Sequence, residues 1–267
     1  MMKVSRVLWT FAAVLVVIAV VSIGVPSTRD ISESDKAAKQ TEAVKKFEED
    51  IIKTKTIDLK ITFIGHGTIM FVYQDKNVHV DPVSRSADYS KMPKANIILL
   101  THEHGDHLDP KAISMIQTEQ TKLLLTKACA EKVTGGSVMK NGDVLTVAGL
   151  KIEVVPAYNI VHKTPSGGLY HPKGQGNGYV VTFGETRVYV AGDTENIPEM
   201  KYLKKIDIAF LPMNLPYTMT PEMAADAVKA FEPKIVYPYH YGQTDPNTLV
   251  NLLKDFKKTE VRIRRMR

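Results

Sequence analysis

The sequence predicts an α+β domain starting near residue 57, either two β-sheets facing each other with helices outside or a mixed sheet with helices on its faces. Three observations predict it. Short apolar or alternating runs come in blocks. Segments with helix-start signals interrupt some of those blocks. Asp81, His102, Asp193 and His240 each stand where a buried strand ends, the place where sites assemble in layered α/β architectures.

The elements follow in order. "IDLKITFIG", "TIMFVY" and "NVHVDP" are strands, with "DKN" as the turn between the last two. "ANIILLT" is a buried strand, and "DPKAISMIQ" is a helix with Asp109 as cap and Pro110 at its first position. "KLLLT" is another buried strand, and "TKACAEKV" a short buried helix that makes Cys129 inert packing. "DVLTV" and "KIEVVPA" flank the turn "AGL", and "GYVVTF" and "TRVYVAG" form a hairpin around "GE". "IDIAFLP" and "KIVYPY" are strands. "TPEMAADAVKAF", capped by Thr220, and "PNTLVNLLKDF" are helices, and "EVRIRR" is a final strand. No repeat or low-complexity segment is visible.

Ahead of this domain, residues 1–30 hold an uncharged run from Val7 to Val25 behind Lys3 and Arg6. Its length is close to the ~20 residues of a spanning helix. A signal anchor is therefore expected, with a cleaved signal peptide as the alternative. The positive flank keeps that end cytoplasmic and sends the domain to the outer side of the cell membrane, or into the periplasm or medium if the segment is cleaved. Residues 31–56 read as an amphipathic linker helix, with Val44, Phe47 and Ile51 on one face. The domain itself is 57–267.

The formal charge of +6 comes from Lys3, Arg6 and the terminal Arg262, Arg264, Arg265 and Arg267, so the rest of the chain is near neutral. No basic face runs through the domain, and no nucleic-acid partner is expected. The arginine-rich end reads as a solubilising or membrane-proximal tail. The single cysteine excludes an intramolecular disulfide and a cysteine metal cluster.

The chemistry concentrates in "LLTHEHGDHLDP", residues 99–110. His102 and His104, two apart, point the same way in an extended segment. Gly105 lets the chain turn before Asp106 and His107. Imidazole nitrogen and carboxylate oxygen suit a divalent cation such as zinc. One metal can take His102 and His104 and a second Asp106 and His107, each needing a further ligand from elsewhere. His66 in "GHGT" and His79 in "VHVD" read as turn and strand-face residues.

"THEHGDHLD" resembles the His-x-His-x-Asp-His signature of the metallo-β-lactamase superfamily. With "FIGHGTIMF", "PAYN", "HPKGQGNGYVV", "AGDTENIPEM", "LPYTMTPEMAADAV" and "YPYHYG", the chain looks similar to the L-ascorbate-6-phosphate lactonase-like hydrolases, related to the N-acylphosphatidylethanolamine phospholipase D type, over about residues 58–260. The resemblance implies a four-layer αββα sandwich with two divalent metal ions at the edge between the sheets. Zinc is the expected metal, with Mn2+ or Fe2+ as alternatives. It implies that His102, His104 and His171 bind the first metal, that Asp106, His107 and His240 bind the second, and that Asp193 bridges them, with Asp81 as support. His162 is the alternative to His171. Two such metals would activate a shared water for attack on an ester, lactone or phosphodiester, with Asp106 and Asp193 as the catalytic carboxylates and no Ser or Cys nucleophile. Tyr158, Asn159, Lys173 and Tyr217 are candidate contacts to a small-molecule substrate. The rival readings are a membrane-surface phospholipase and a mononuclear-iron oxidoreductase of the same fold. A classical zinc β-lactamase is disfavoured because its best-known forms carry Cys at the place of Asp193.

Overall fold

The computed structural model describes residues 47–267. The expected anchor and residues 31–46 of the expected linker helix lie outside the described residues. Among the described residues no helix is long and apolar enough to cross a membrane. The end of the expected linker helix is not helical. Glu48–Ile52 is a strand, β1, paired antiparallel with β2 (Leu59–Gly65) from Glu48 opposite Phe63 to Ile52 opposite Leu59. The helical spacing of Phe47 and Ile51 misled because β1 is an edge strand, and its Ile51 is 53% exposed. What β1 contributes is charge. Lys60 pairs with Glu49, and Asp50 receives the C-terminus.

Two seven-stranded sheets form in chain order. The first continues with β3 (Thr68–Tyr73), β4 (Lys76–Val80), β5 (Ile97–Leu99), β6 (Lys122–Leu125) and β7 (Ser137–Val138). The second holds β8 (Val144–Val147), β9 (Leu150–Ala157), β10 (Gly176–Phe183), β11 (Thr186–Val190), β12 (Ile208–Pro212), β13 (Ile235–Tyr239) and β14 (Glu260–Val261). Each sheet runs antiparallel through its first four strands and parallel through its last three connections. The expected last strand over "EVRIRR" is therefore only its first two residues.

The sheets bury their facing sides against one another. Leu59, Ile61 and Phe63 of β2 and Phe71 of β3 share one core with Val181 and Phe183 of β10 and Phe210 of β12, all at most 2% exposed. The outer face of the first sheet carries a second core, where Ile98, Leu100 and Leu125 pack on α1 (Pro110–Ile116) and α2 (Lys127–Ala130). The helices α3 (Pro221–Phe231) and α4 (Asn247–Leu253) cover the second sheet through Ala224, Val228 and Leu249. The result is the four-layer sandwich. Asp109 caps α1 and Thr220 caps α3 through backbone N–H groups of the first turn.

The arginine-rich end is not a free tail. Arg264 makes a bidentate pair with Asp50, Nη2 lying 2.7 Å from each carboxylate oxygen, and stacks over Phe63 and Tyr237. Arg262 pairs with Glu260, and Met266 is fully buried. These contacts tie the last residues to the edge strand β1 and close the gap between the two sheets at that edge.

Candidate metal centre

The site forms at the C-terminal ends of the parallel strands. Asp81 follows β4, Thr101 and His102 follow β5, Asp193 follows β11 and His240 follows β13. Two backbone hydrogen bonds stitch the sheets together beside it, Asn177 N–H to Thr101 O at 2.8 Å and His240 N–H to His66 O at 3.1 Å. His66, Asp81 and His240 all hold left-handed backbone, φ of 55°, 45° and 47°. Non-glycine residues rarely adopt it, and such strain gathers at functional sites.

The structure brings seven of the sequence-expected residues into one cluster. His102, His104 and His171 form one group, and Asp106, His107 and His240 a second, each with ligand atoms within 4.8 Å of one another. Asp193 stands between the groups. Its Oδ2 is 3.4 Å from His171 Nε2, 3.4 Å from His240 Nε2 and 3.8 Å from His102 Nε2, and its Oδ1 is 3.3 Å from His107 Nε2. His66, expected in a turn role, also joins the second group. Its Nε2 lies 3.1 Å from Asp106 Oδ2, and its ring lies 3.8 Å from that of His240. Gly67 is required beside it, because a Cβ there would sit 2.6 Å from His107 Cε1.

The hydrogen bonds behind the cluster decide which ring nitrogens face it. Asp81 is fully buried and accepts from Thr101 N–H at 2.8 Å, Thr101 Oγ1–H at 2.7 Å and His107 Nδ1–H at 2.8 Å. Having given its hydrogen to Asp81, the Thr101 hydroxyl can only accept from His102 Nδ1–H, 3.0 Å away. Both rings therefore carry hydrogen on Nδ1 and turn Nε2 inward as the atom left for a metal ion, the usual arrangement behind a metal-binding histidine. Burial raises the pKa of Asp81, and the contacts from His107 and Thr101 offset part of that rise.

Electrostatics ask for positive charge here. Burial pushes against a charged His107, yet the carboxylates of Asp193, Asp81 and Asp106 raise its pKa to about 9. Burial likewise opposes the charge of Asp106, and the nearby His240, 3.5 Å away, with the hydrogen bond from His66, overcomes it and holds the carboxyl well below the usual carboxylate range. Asp193 is held low by His240, His107 and His102 against its own burial. Four buried atoms of the cluster, His107 Nε2, Asp193 Oδ1 and both ring nitrogens of His240, have no hydrogen-bond partner. Each would cost about 1–3 kcal/mol if left unmet. A cation would meet the three that face inward, His107 Nε2, Asp193 Oδ1 and His240 Nε2, and a set of imidazoles and carboxylates suits zinc, iron or manganese.

The other candidate residues surround the cluster. Asn159 lies behind it, its Oδ1 2.6 Å from His171 Nδ1. Tyr158 and Lys173 are bound to Glu199, at 2.8 and 2.7 Å, instead of reaching the metal groups. Tyr217 packs edge-on against Tyr170, which lines the cleft together with Glu103, Pro172 and Gln175. His162 stays out of the cluster, with Nδ1 2.9 Å from Glu195. Glu195, fully buried beneath the loop 159–162, was not expected; so was Thr101 missed. Glu195 sits two residues after Asp193, and nothing in the linear pattern shows that its partners lie 33–36 residues upstream.

Comparison with known proteins agrees with this architecture. The beta-lactamase superfamily domain profile matches residues 60–240. A UPF0173 metal-dependent hydrolase of Methanopyrus kandleri is 32% identical over 199 residues, 70% of this chain and 86% of its own length. A crystal structure of a protein assigned as a metal-dependent hydrolase from Parabacteroides distasonis superposes with a TM-score of 0.79 at 52% identity, covering 83% of this chain and all of the other. The diiron β-hydroxylase CmlA of Streptomyces venezuelae shares the fold at 17% identity, with a TM-score of 0.61 over 80% of this chain and 54% of its own.

Proposed function

The chain belongs to the metallo-β-lactamase superfamily and is a metal-dependent hydrolase, and from that premise we propose that it works with two metal ions, zinc in the first instance, on a small ester, lactone or phosphodiester. One observation carries the reading. Asp193 stands within 3.4 Å of both His171 and His240, the far members of two separate ligand groups. A carboxylate so placed would be shared by two ions. His102, His104 and His171 would hold the first ion and Asp106, His107 and His240 the second, with Asp193 shared. Bound metals supply Lewis acidity and a water acidic enough to act as nucleophile near neutral pH.

The chain's own residues set the rest. Thr101, Asp81 and Asn159 aim the imidazoles through their Nδ1 hydrogens. His66 donates to Asp106, so that carboxylate is held ionised, as a ligand or proton acceptor and not as the acid that protonates a leaving group. Tyr170, Pro172 and Gln175 wall the side of the cleft on which a substrate must arrive. The uncharged segment 7–25 behind Lys3 and Arg6 supports a chain anchored in the membrane with this domain on its outer side.

The test is a screen of the purified full chain against lactones, carboxylic esters, phosphodiesters and phospholipids, with metal content measured in the same samples. Turnover lost on chelation and restored by Zn2+ is expected. Two bound ions per chain with no turnover of any class contradicts the substrate reading. A single bound iron contradicts the two-zinc reading.

A further inference from the structure

The side chain of His171 differs from those of His102 and His107 in having no hydroxyl or carboxylate behind it. Its Nδ1 meets the amide of Asn159, a group that offers an acceptor at one end and donors at the other. Which end faces His171 decides where the imidazole hydrogen sits. With Asn159 Oδ1 toward the ring, His171 must donate from Nδ1, and Nε2 is bare. Turned over, the amide would donate to Nδ1 and drive the hydrogen onto Nε2, the atom 3.4 Å from Asp193.

The partners on the far side of Asn159 settle the question. Its Nδ2 lies 3.0 Å from Glu195 Oε1 and 2.9 Å from the carbonyl oxygen of Tyr217. An ionised carboxylate and a backbone carbonyl can only accept. Glu195 is itself locked in place. It is fully buried, and it accepts from the backbone N–H groups of three consecutive residues, Ile160 and Val161 at 2.8 Å and His162 at 2.7 Å. Its own backbone N–H reaches Tyr158 O at 3.0 Å. Four donors converge on this one buried carboxylate, so both of its oxygens serve as acceptors.

We infer that Glu195 is a positioning residue for His171: it fixes the Asn159 amide one way round, keeps the imidazole hydrogen on Nδ1 and leaves Nε2 free to take a metal ion. The tautomer follows from hydrogen bonding within this chain. The consequence for a metal rests on the two-metal reading above. Nothing else in the linear sequence near Asp193 performs this task, because Thr194 spends its hydroxyl on Tyr158 O and the carbonyl of Glu195.

The experiment compares the full chain with Glu195→Gln and with the double variant Glu195→Gln/Asn159→Asp. In Glu195→Gln the new amide can donate toward Asn159, and the reason for the Asn159 orientation is halved. In the double variant residue 159 can only accept, so His171 must donate again from Nδ1. Two readouts are taken. Long-range 1H–15N spectra of the metal-free proteins report the His171 tautomer, and competition of Zn2+ with a chromophoric chelator reports both metal sites. The expected result is a loss of the pure Nδ1–H form in Glu195→Gln and a roughly 10- to 100-fold weaker affinity at one of the two sites, both recovered in the double variant. Wild-type tautomer and affinity in Glu195→Gln overturn the inference, as does a double variant no better than the single one. If Glu195→Gln does not fold, Asn159→Leu replaces it, and an unchanged tautomer and affinity there have the same meaning. A wild-type chain that binds no Zn2+ while its tautomers respond as described overturns the two-metal reading and leaves the role of Glu195 toward His171 standing.

Discussion

Replacing Asp81 with asparagine should disable both metal groups with almost no change in shape. Asp81 Oδ1 takes the Thr101 N–H, and Oδ2 takes both the Thr101 hydroxyl and His107 Nδ1–H. A backbone N–H cannot reverse its role, so the asparagine oxygen must stay on Thr101 N and its NH2 must replace Oδ2. The Thr101 hydroxyl then accepts, and its hydrogen turns toward His102 Nδ1. His107 Nδ1 must accept as well. Both imidazoles are forced to carry hydrogen on Nε2, facing Asp193. The backbone tolerates the change, since asparagine accepts the left-handed φ of 45° found here. Losing an outer partner of a ligating histidine costs about 10- to 100-fold in metal affinity, roughly 1.4–2.7 kcal/mol per site. Here one histidine of each group is hit. The assay is metal content after dialysis, followed by chelator competition. Retention of both ions at wild-type affinity refutes the hydrogen-bond bookkeeping, and loss of only one refutes the relay through Thr101. Asp81→Ala is a different perturbation. It orphans three buried donors at about 1–3 kcal/mol each, a sum comparable with the ~5–15 kcal/mol that holds a domain together, so that chain is expected to fold poorly.

Other substitutions test the frame around the site. His79 is fully buried on strand β4 of the first sheet, donates from Nε2 to Pro93 O at 3.1 Å, and has its pKa lowered to about 4 by burial. A base with a depressed folded pKa gives stability above its unfolded value near 6.5 and loses it as pH falls toward 4; urea unfolding should show this as about 2–3 kcal/mol lost between pH 7 and 4.5, with a shallower slope in His79→Gln, and an unchanged slope would show that His79 is not the group titrating. Arg264→Met breaks the bidentate pair with Asp50, whose side chain is 12% exposed, and should cost about 2–3 kcal/mol in thermal or urea unfolding, whereas Arg265→Ala, with its side chain 78% exposed, should cost under about 0.5 kcal/mol. Gly67→Ala drives a methyl to 2.6 Å from His107 Cε1 and should lower stability by about 1–3 kcal/mol while weakening one metal site in the same titration.

The sequence made the strands and helices of the domain legible because each is short, apolar and closed by a turn or cap. Asp109 with Pro110 and Thr220 with Pro221 mark helix starts that the structure places at the same residues. The inward residues of the centre were legible for a related reason, since His102, Asp193 and His240 follow closely on apolar runs that read as buried strands. What stayed hidden was long-range. Glu48–Ile52 carries too few apolar residues to announce a strand, and it is one because β2 offers an open edge and Arg264, 214 residues away, neutralises Asp50. The arginine cluster looked like a solvated tail because its partners lie at the other end of the domain. Asn159 looked like a substrate contact because it neighbours the His171 loop, while its role depends on Glu195 and Tyr217, elements that no local spacing connects.

The two sheets have the same strand plan, an antiparallel meander passing into parallel strands, and each half supplies only part of the centre. The first sheet and its loops provide His102, His104, Asp106 and His107, and the second provides His171, Asp193 and His240. Neither metal group is complete within one half, since the first lacks His171 and the second lacks His240 until the sheets dock. The backbone bonds from Asn177 to Thr101 and from His240 to His66 cross between halves at the same place. Binding of an ion is therefore coupled to sheet docking as a whole. An ion that binds only the docked form stabilises it by about 2.7 kcal/mol when present at a hundred times its dissociation constant. Stripping the metal should accordingly loosen the whole sandwich, while a centre built on one sheet would lose its ion with the fold unchanged.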